Sequence, residues 1–332
     1  MVASASRKKL ILDLDTGVDD TLALAYALGS PEVELIGITG TFGNVRVDTG
    51  VRNSLAVLAL FGHPDVPVFR GFSHALAATS DFEVPEPVLK IHGDNGIGNV
   101  SIPDAGRAPE AQHAVDFLIE SARRFGSELL YVPTGPITTL AAALEKAPGI
   151  ATSGMQVTLM GGALTVPGNV SPCAEANVGN DPEAMDVVLR SDLPTCMVGL
   201  DVTLQAQLTR ADTAAWRALG TPAATFLADM TDFYIDFYVS RNPAMDGCAL
   251  HDPLALGVAI DPSLVTCLPL NMMVDLEGPE RGRTIGDPDR LCDPTKTASA
   301  AVRVDAVRFQ REFLERVGRA LADAPAGRPA GE

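Results

Sequence analysis

Short runs of apolar residues alternate along this chain with longer segments in which apolar residues recur at helical spacing. The short, strand-like runs lie at residues 10–14, 34–39, 129–132, 156–160 and 195–200. The helical segments lie at residues 19–28, 51–61, 138–146 and 182–190. This alternation predicts an α/β fold, with a single open, mostly parallel (mixed) sheet flanked by helices. Residues 75–102, which are irregular and rich in Pro, Gly and Asp, are predicted to form a long loop.

Polar residues follow the strand-like runs. In a parallel sheet, ligands bind beyond the carboxyl ends of the strands. The first run is followed by Asp15, Asp19 and Asp20, and the second run is followed by Asn44. A PTGP sequence follows the third run, and the segment GGALTVPGNVSPCAEAN, rich in glycine and amides, follows the fourth. The sequence therefore predicts a ligand site at this edge of the sheet.

The composition is that of a globular chain. Of 332 residues, 46% are hydrophobic and 20% are charged, which is enough to build an ordinary apolar core. The formal net charge is −17, and no stretch gathers the Lys and Arg residues that a nucleic-acid binder needs. We expect one domain at residues 10–320, with a disordered N-terminus at 1–9 and a disordered tail at 321–332.

Cysteine and hydropathy patterns bear on the cellular location. The five cysteines are scattered, with no CxxC pair, as is typical of reduced thiols. The apolar start of the chain meets Asp13 too early for a signal peptide. No apolar run reaches the roughly 18–20 residues that a membrane helix needs. We expect a cytoplasmic protein that does not bind membranes.

The string DLDTGVDD, residues 13–20, places four carboxylates at one strand-to-helix turn. Like charges this close repel each other unless a cation neutralises them, and capping of the helix accounts for only one or two of them. A phosphotransferase of the haloacid dehalogenase type is disfavoured, because Gly17 stands where its motif has a Thr or Val side chain. An EF-hand is disfavoured because its loop needs an oxygen ligand at that position. The string therefore predicts a metal site.

Five separated motifs resemble those of the nucleoside hydrolases, the calcium-dependent N-ribohydrolases of the inosine-uridine-preferring type. They are DLDTGVDD at 13–20, GTFGN at 40–44, VPTGP at 132–136, GNVSPCAEAN at 168–177 and HDPLAL at 251–256. Their order is the family's order, and the resemblance extends from about residue 10 to about residue 316. It implies the Rossmann-like nucleoside hydrolase fold and hydrolysis of ribonucleosides to ribose and a free purine or pyrimidine base.

The resemblance implies a cofactor and a set of site residues. Ca²⁺ would be held by Asp15, Asp20, Asp252 and the backbone carbonyl of Thr134, an oxygen set that suits this cation. Asp15 would take the proton of the attacking water, and His251 would protonate the leaving base. The residues implied to bind substrate are Asp19, Asn44, His92, Met160, Asn169, Glu175, Asn177, Tyr234 and Tyr238.

Several of these positions also allow a purely structural interpretation. Asn44 after Gly43 is as typical of a turn residue as of a ribose-binding residue. His251 alone could be a structural histidine. The aromatic residues of 233–238 lie at helical spacing, which usually indicates core packing. The resemblance favours the functional interpretation, and leaves open whether Tyr234 or Tyr238 contacts the base.

One position departs from the family pattern. Ala176 stands between Glu175 and Asn177, where the family commonly has an aromatic residue, so the preferred base is left open. The alternative function is a non-catalytic, calcium-dependent ribose- or nucleoside-binding protein, and a Mg²⁺ phosphotransferase ranks third. The resemblance further implies a small-molecule ribonucleoside as substrate and a homodimer or homotetramer.

Overall fold

An eight-stranded sheet forms the centre of the computed structural model, which describes residues 7–326. The strands along the chain are β1 (Lys8–Leu14), β2 (Val33–Gly40), β3 (Val68–Arg70), β4 (Leu129–Pro133), β5 (Gln156–Met160), β6 (Thr195–Val198), β7 (Gln207–Thr209), β8 (Gly247–Ala249), β9 (Val265–Pro269), β10 (Met272–Val274), β11 (Thr284–Gly286) and β12 (Ala298–Val304). The large sheet has the order β3-β2-β1-β4-β5-β6-β12-β9, while β10-β11 and β7-β8 form two small antiparallel pairs. In the large sheet β9 runs antiparallel to β12, and the other strands are parallel.

Helices cover the sheet on both faces. They are α1 (Val18–Leu28), α2 (Val47–Leu60), α3 (Glu86–His92), α4 (Ala114–Phe125), α5 (Thr138–Lys146), α6 (Ala176–Asn180), α7 (Pro182–Arg190), α8 (Leu200–Thr203), α9 (Arg210–Arg217), α10 (Pro222–Arg241), α11 (His251–Ile260) and α12 (Ala306–Asp323). Short 3-10 helices lie at Gly126–Glu128, Pro148–Thr152, Pro262–Leu264 and Gly278–Glu280. The predicted α/β fold with a mostly parallel, mixed sheet is confirmed.

Two apolar cores lie on opposite faces of the sheet, and the central strand β1 contributes to both. Leu10, Leu12 and Leu14 belong to the core that contains residues of α1, α11 and α12. Ile11 belongs to the core that contains residues of α4, α5 and α7. A strand buried on both faces is apolar at nearly every position, which is why β1 reads as a continuous apolar run.

Successive strands are added first on one side of β1 and then on the other side. The chain leaves β1 towards β2 and β3 on one side, and returns to β4 on the other side. A crevice opens at such a switch point, beyond the carboxyl ends of the strands. Asp13 pairs in register with Thr39 of β2 and Pro133 of β4, so the residues that follow all three strands meet there.

Three sequence predictions need correction. The strand-like run at 195–200 ends at Val198, and a short helix begins at Leu200 after Gly199. The predicted loop at 75–102 contains α3, which starts after Pro85 and carries Pro87 in its first turn, where proline fits a helix. The predicted disordered ends overlap with regular structure, because β1 starts at Lys8 and α12 continues to Asp323.

The outer parts of those predicted ends, residues 1–6 and 327–332, lie outside the described residues. None of the five cysteines, all of which lie within residues 7–326, forms a disulfide in the described structure. Between residues 7 and 326, no helix combines the length and the apolar character that are needed to cross a membrane.

Candidate active site

Two helix N-termini bring carboxylates to the carboxyl end of β1. The helix α1 begins at Val18, so Asp19 and Asp20 lie in its first turn, where the backbone N–H of Gly17 donates to Asp20 Oδ2 at 2.8 Å. The helix α11 places Asp252 in its own first turn. Because the positive ends of two helix dipoles face these carboxylates, both helices favour negative charge at this point.

Three of the carboxylates form a compact group. Oxygen atoms of Asp19, Asp20 and Asp252 all lie within 4.8 Å of one another, and the three side chains are buried. Within residues 7–326, Asp19 Oδ1 and Asp252 Oδ2 have no hydrogen-bond partner. A buried carboxylate oxygen without a donor is costly, and a cation could supply the missing partner, so this group could hold a metal ion. Carboxylate oxygens alone suit a hard cation such as Ca²⁺ or Mg²⁺.

The electrostatics of the site support a cation as well. Burial raises the pKa of Asp15 and Asp252 well above the usual value, and repulsion from neighbouring carboxylates raises it further. Burial, followed by repulsion from Asp20, raises the pKa of Asp19 to about 7. Each of these shifts shows that the folded protein disfavours the ionised form, which a bound cation would reverse.

Asp15 follows β1 and is held by the loop after β2. The backbone N–H of Asn44 donates to Asp15 Oδ2 at 2.6 Å, and its side-chain amide donates to Asp15 Oδ1 at 3.2 Å and to Asp20 Oδ2 at 3.1 Å. Gly43 is required here, because it has φ of +147° and a Cβ atom would lie 2.1 Å from Asp15 Oδ2. Asn44 thus orients two of the predicted carboxylates.

Asp13 points away from this group, towards the opposite face of the sheet. It accepts hydrogen bonds from the Tyr131 hydroxyl at 2.6 Å and the Thr39 hydroxyl at 2.7 Å. Burial raises its pKa to about 6, against the lowering effect of these two donors. Asp13 therefore stabilises the end of β1 through Tyr131 and Thr39 and does not belong to the compact group.

Thr134, after β4, contacts the site through both of its oxygens. Its hydroxyl donates to Asp20 Oδ1 at 2.7 Å, while its backbone carbonyl accepts from the Asn177 amide at 2.5 Å. The same amide donates to the backbone carbonyl of Met160 at 3.2 Å. The ends of β4 and β5 are therefore tied together beside the carboxylates.

Glu175 and Asn169 accept hydrogen bonds from the backbone of their own segment. Glu175 is buried and caps α6, with Oε1 accepting from Asn177 N–H and Oε2 accepting from the N–H groups of Gly162 and Val178. Asn169 is exposed, and its Oδ1 accepts from the N–H of Ala176 at 2.9 Å. In the described structure both side chains shape the loop after β5.

Aromatic side chains line the site next to Asp19. Tyr234 donates to Asp19 Oδ2 at 3.3 Å, its hydroxyl lies 3.4 Å from that of Tyr238, and the Tyr238 hydroxyl lies 2.7 Å from His251 Nε2. His92 lies at the end of α3, where its ring centroid is 5.5 Å from that of Tyr234. Burial lowers the pKa of His251 to about 4 and that of His92 to about 3, so both rings are neutral near pH 7.

The structure thus gathers most of the predicted site residues, with two differences. The compact group contains Asp19, predicted to bind substrate, while Asp15, predicted to bind the metal, lies beside it. Thr203 was missed, although its hydroxyl lies 2.7 Å from His251 Nδ1. A signal existed, because the LDVT sequence follows a predicted strand at the ligand edge. Asp201 from the same sequence accepts from the N–H groups of the loop after β5.

Comparisons with known proteins identify similar chains. The sequence profile described as inosine-uridine preferring nucleoside hydrolase matches residues 10–311. The purine-preferring ribonucleoside hydrolase from Gardnerella vaginalis superposes with a TM-score of 0.93 at 59% identity, covering 95% of this chain and 100% of that chain. The pyrimidine-specific ribonucleoside hydrolase RihA from Salmonella schwarzengrund is 33% identical over 93% of this chain and 97% of its own. Uridine nucleosidase 1 from Arabidopsis thaliana is 35% identical over 84% of this chain and 82% of its own.

Proposed function

Because this chain belongs to the inosine-uridine preferring nucleoside hydrolase family and is a ribonucleoside hydrolase, we propose that Asp15 and a Ca²⁺ ion activate the water that breaks the N-glycosidic bond. The products are ribose and a free base. The compact group of buried carboxylates, with two oxygens that lack a donor within residues 7–326, carries this proposal. A non-catalytic binding protein is not favoured, because the relatives are hydrolases by name.

Calcium fits the donors that are present. We assign Asp15, Asp20 and Asp252 as carboxylate ligands and the Thr134 backbone carbonyl as a further oxygen ligand. Asp19 adds charge at the same place. Such an all-oxygen set with several carboxylates suits Ca²⁺, whereas Mg²⁺ needs a stricter octahedron and Zn²⁺ prefers nitrogen or sulfur. A bound Ca²⁺ would hold a water molecule and make it more acidic.

Asp15 is the residue we assign as general base. Its two oxygens accept from the backbone and the side chain of Asn44, which fixes the carboxylate in one orientation. A carboxylate that is fixed at hydrogen-bond reach of a water molecule can accept its proton as the water attacks the anomeric carbon.

The sugar and the base would occupy different sides of the site. We assign ribose hydroxyls to Asp19 of the carboxylate group and to Asn44 and Asn177 beside it. We assign Asn169 and Glu175, which lie on the loop that carries Asn177, to the same sugar. We assign the leaving base to the aromatic side formed by His92, Tyr234, Tyr238 and His251. There, His251 would give a hydrogen to the base as the bond breaks.

We further propose a preference for purine nucleosides. The relatives differ in the substrate that their names state, since the Salmonella protein is pyrimidine-specific and the Gardnerella protein is purine-preferring. The purine-preferring protein is 59% identical to this chain, against 33% for the pyrimidine-specific one. The higher overall identity to the purine-preferring relative is the observation that supports this preference.

The test is release of reducing sugar from inosine, guanosine, adenosine, uridine and cytidine, with the metal-free protein and after addition of Ca²⁺, Mg²⁺ or Zn²⁺. We expect activity with Ca²⁺, loss of activity with chelator, and faster turnover of the purine nucleosides. Absence of sugar release from all five at micromolar protein would refute the proposal. Equal activity without metal would refute the role of calcium, and faster cleavage of uridine would refute the purine preference.

A further inference from the structure

A row of hydrogen-bonding groups connects the carboxylates to a residue outside the predicted site. It starts at Asp19 Oδ2, passes through the hydroxyls of Tyr234 and Tyr238, and reaches His251 Nε2. On the other side of the imidazole ring, Nδ1 lies 2.7 Å from the Thr203 hydroxyl. Thr203 is fully buried and His251 nearly so, which makes the hydrogens shared by these two side chains countable.

The direction of the row is set at the Asp19 end. When Asp19 is ionised, as it would be beside a bound cation, its carboxylate only accepts hydrogen bonds, so the single hydroxyl hydrogen of Tyr234 is used on Asp19. The oxygen of Tyr234 must then accept from Tyr238, which uses the single hydrogen of Tyr238. The oxygen of Tyr238 is left as an acceptor for His251 Nε2, which must therefore carry a hydrogen.

The Thr203 end leads independently to the same direction. Among the described residues, His251 Nδ1 is the partner found for the Thr203 hydroxyl. A buried hydroxyl hydrogen without an acceptor is costly, so the hydroxyl donates its hydrogen to Nδ1. A nitrogen that accepts a hydrogen bond carries no hydrogen of its own, and the hydrogen of a neutral ring must then be on Nε2.

We propose that Thr203 is a positioning residue that holds neutral His251 in the tautomer with its hydrogen on Nε2, the nitrogen that faces Tyr238. This inference rests on the proposed function, in which His251 gives a hydrogen to the leaving base. Without the hydroxyl of Thr203, the ring could place its hydrogen on Nδ1 or rotate. The nitrogen on the aromatic side would then have nothing to donate, although all residues that contact substrate would be intact.

The first experiment observes the tautomer directly. The ¹⁵N resonances of the histidine rings are recorded at one pH near neutrality in the calcium-loaded protein, and His251 is assigned by comparison with His251→Gln. We expect a protonated Nε2 and an unprotonated Nδ1 in the wild type. In Thr203→Val the hydrogen should move to Nδ1 or exchange between the two nitrogens, so that their ¹⁵N resonances swap or average. Thr203→Ser should restore the wild-type resonances. A protonated Nδ1 in the wild type would overturn the proposal, whether or not the variants fold.

The second experiment separates positioning from general damage. We expect Thr203→Val to lower kcat for inosine by about tenfold, a part of the 100-fold or more that general-acid catalysis supplies, with little change in KM. The p-nitrophenyl riboside, whose leaving group needs no proton, should be cleaved almost as fast as by the wild type. Thr203→Ser should retain activity on both substrates.

The matched control is Thr195→Val, at the opposite end of β6. Thr195 is also buried, and its hydroxyl donates to the Leu193 carbonyl at 3.0 Å. We expect both substrates to be cleaved at the wild-type rate. An equal loss on inosine and p-nitrophenyl riboside in Thr203→Val would overturn the positioning role. An equal loss in His251→Gln, with the expected tautomer in the wild type, would instead remove the proposed role of His251 in leaving-group chemistry.

Discussion

Replacement of Asp19 by Asn should stabilise the metal-free protein and weaken its response to calcium. The carboxylate of Asp19 is buried, Oδ1 has no partner within residues 7–326, and its pKa is raised to about 7, first by burial and then by repulsion from Asp20. An asparagine of the same shape still accepts from the Tyr234 hydroxyl, and it removes the charge. The metal-free wild type therefore carries a cost that the variant lacks.

The size and the sign of this effect follow from linkage. The folded protein binds the Asp19 proton more tightly than the unfolded chain, so the stabilisation is complete below the ordinary value of 3.8 and is lost as the pH rises through about 7. At about 1.4 kcal/mol per pKa unit, the loss in the free energy of unfolding approaches roughly 4 kcal/mol above pH 8. The Asn variant has no such loss, so the two proteins should be equally stable near pH 4 and differ most at pH 8.

The assay is urea unfolding of both proteins at pH 5 and pH 8, in chelator and in excess CaCl₂. In chelator at pH 8, Asp19→Asn should be more stable than the wild type. In calcium this advantage should shrink, because a ligand that binds only the folded state adds stability that grows with the logarithm of its affinity, and the variant has lost a charge beside the cation. Asp192→Asn, at an exposed carboxylate, is the control and should change neither value. Equal stability of wild type and Asp19→Asn in chelator at pH 8 would refute this reasoning.

Three further substitutions test the support around the site. Asp15→Asn should lower kcat by about 1000-fold, within the range of general-base catalysis, with an unchanged circular dichroism spectrum; activity within tenfold of the wild type would remove Asp15 as the base. Gly43→Ala should impair hydrolysis similarly, because its Cβ would lie 2.1 Å from Asp15 Oδ2, whereas Gly149→Ala, with no atom within 4 Å, should be neutral in the same assay. Tyr131→Phe removes a donor to Asp13, so urea unfolding should show a loss of about 1–3 kcal/mol that is larger at pH 8 than at pH 5, since the phenol favours the ionised carboxylate. A loss of equal size at both pH values would show that Asp13 does not titrate between pH 5 and pH 8 and would contradict the raised pKa.

The fold was predictable where burial determines the sequence pattern. The bounds of α5, α7 and β5 agree with the predicted 138–146, 182–190 and 156–160, because these elements have a defined apolar face or lie in the core. The start of α2 was missed by four residues. Its first turn contains Asp48, Thr49 and Gly50, which carry no apolar periodicity. The seven-residue helix α3 is too short for periodicity to reveal it.

The residues of the site were predictable from motifs, but their hydrogen-bond partners were not. The motifs marked Asp20 and Asp252 as neighbours, and the structure places them in one group. No local pattern pairs Thr203 with His251, which are 48 positions apart and meet because β6 and β8 deliver α8 and α11 to the same edge. Such pairings depend on the path of the whole chain, which local spacing does not encode.

The site departs from the general rule that buried carboxylates are paired with hydrogen-bond donors. Elsewhere in the described structure buried carboxylates have donors; Asp201, for example, accepts from Leu164 and Thr165. Asp19 and Asp252 each keep an oxygen without one, in a group of like charges that the surrounding helices hold in place. A fold that tolerates this cost would recover the free energy when a cation and sugar hydroxyls bind as proposed and supply the missing partners. Affinity for the ligands and instability of the empty site therefore have the same physical origin, and a substitution that relieves one should weaken the other.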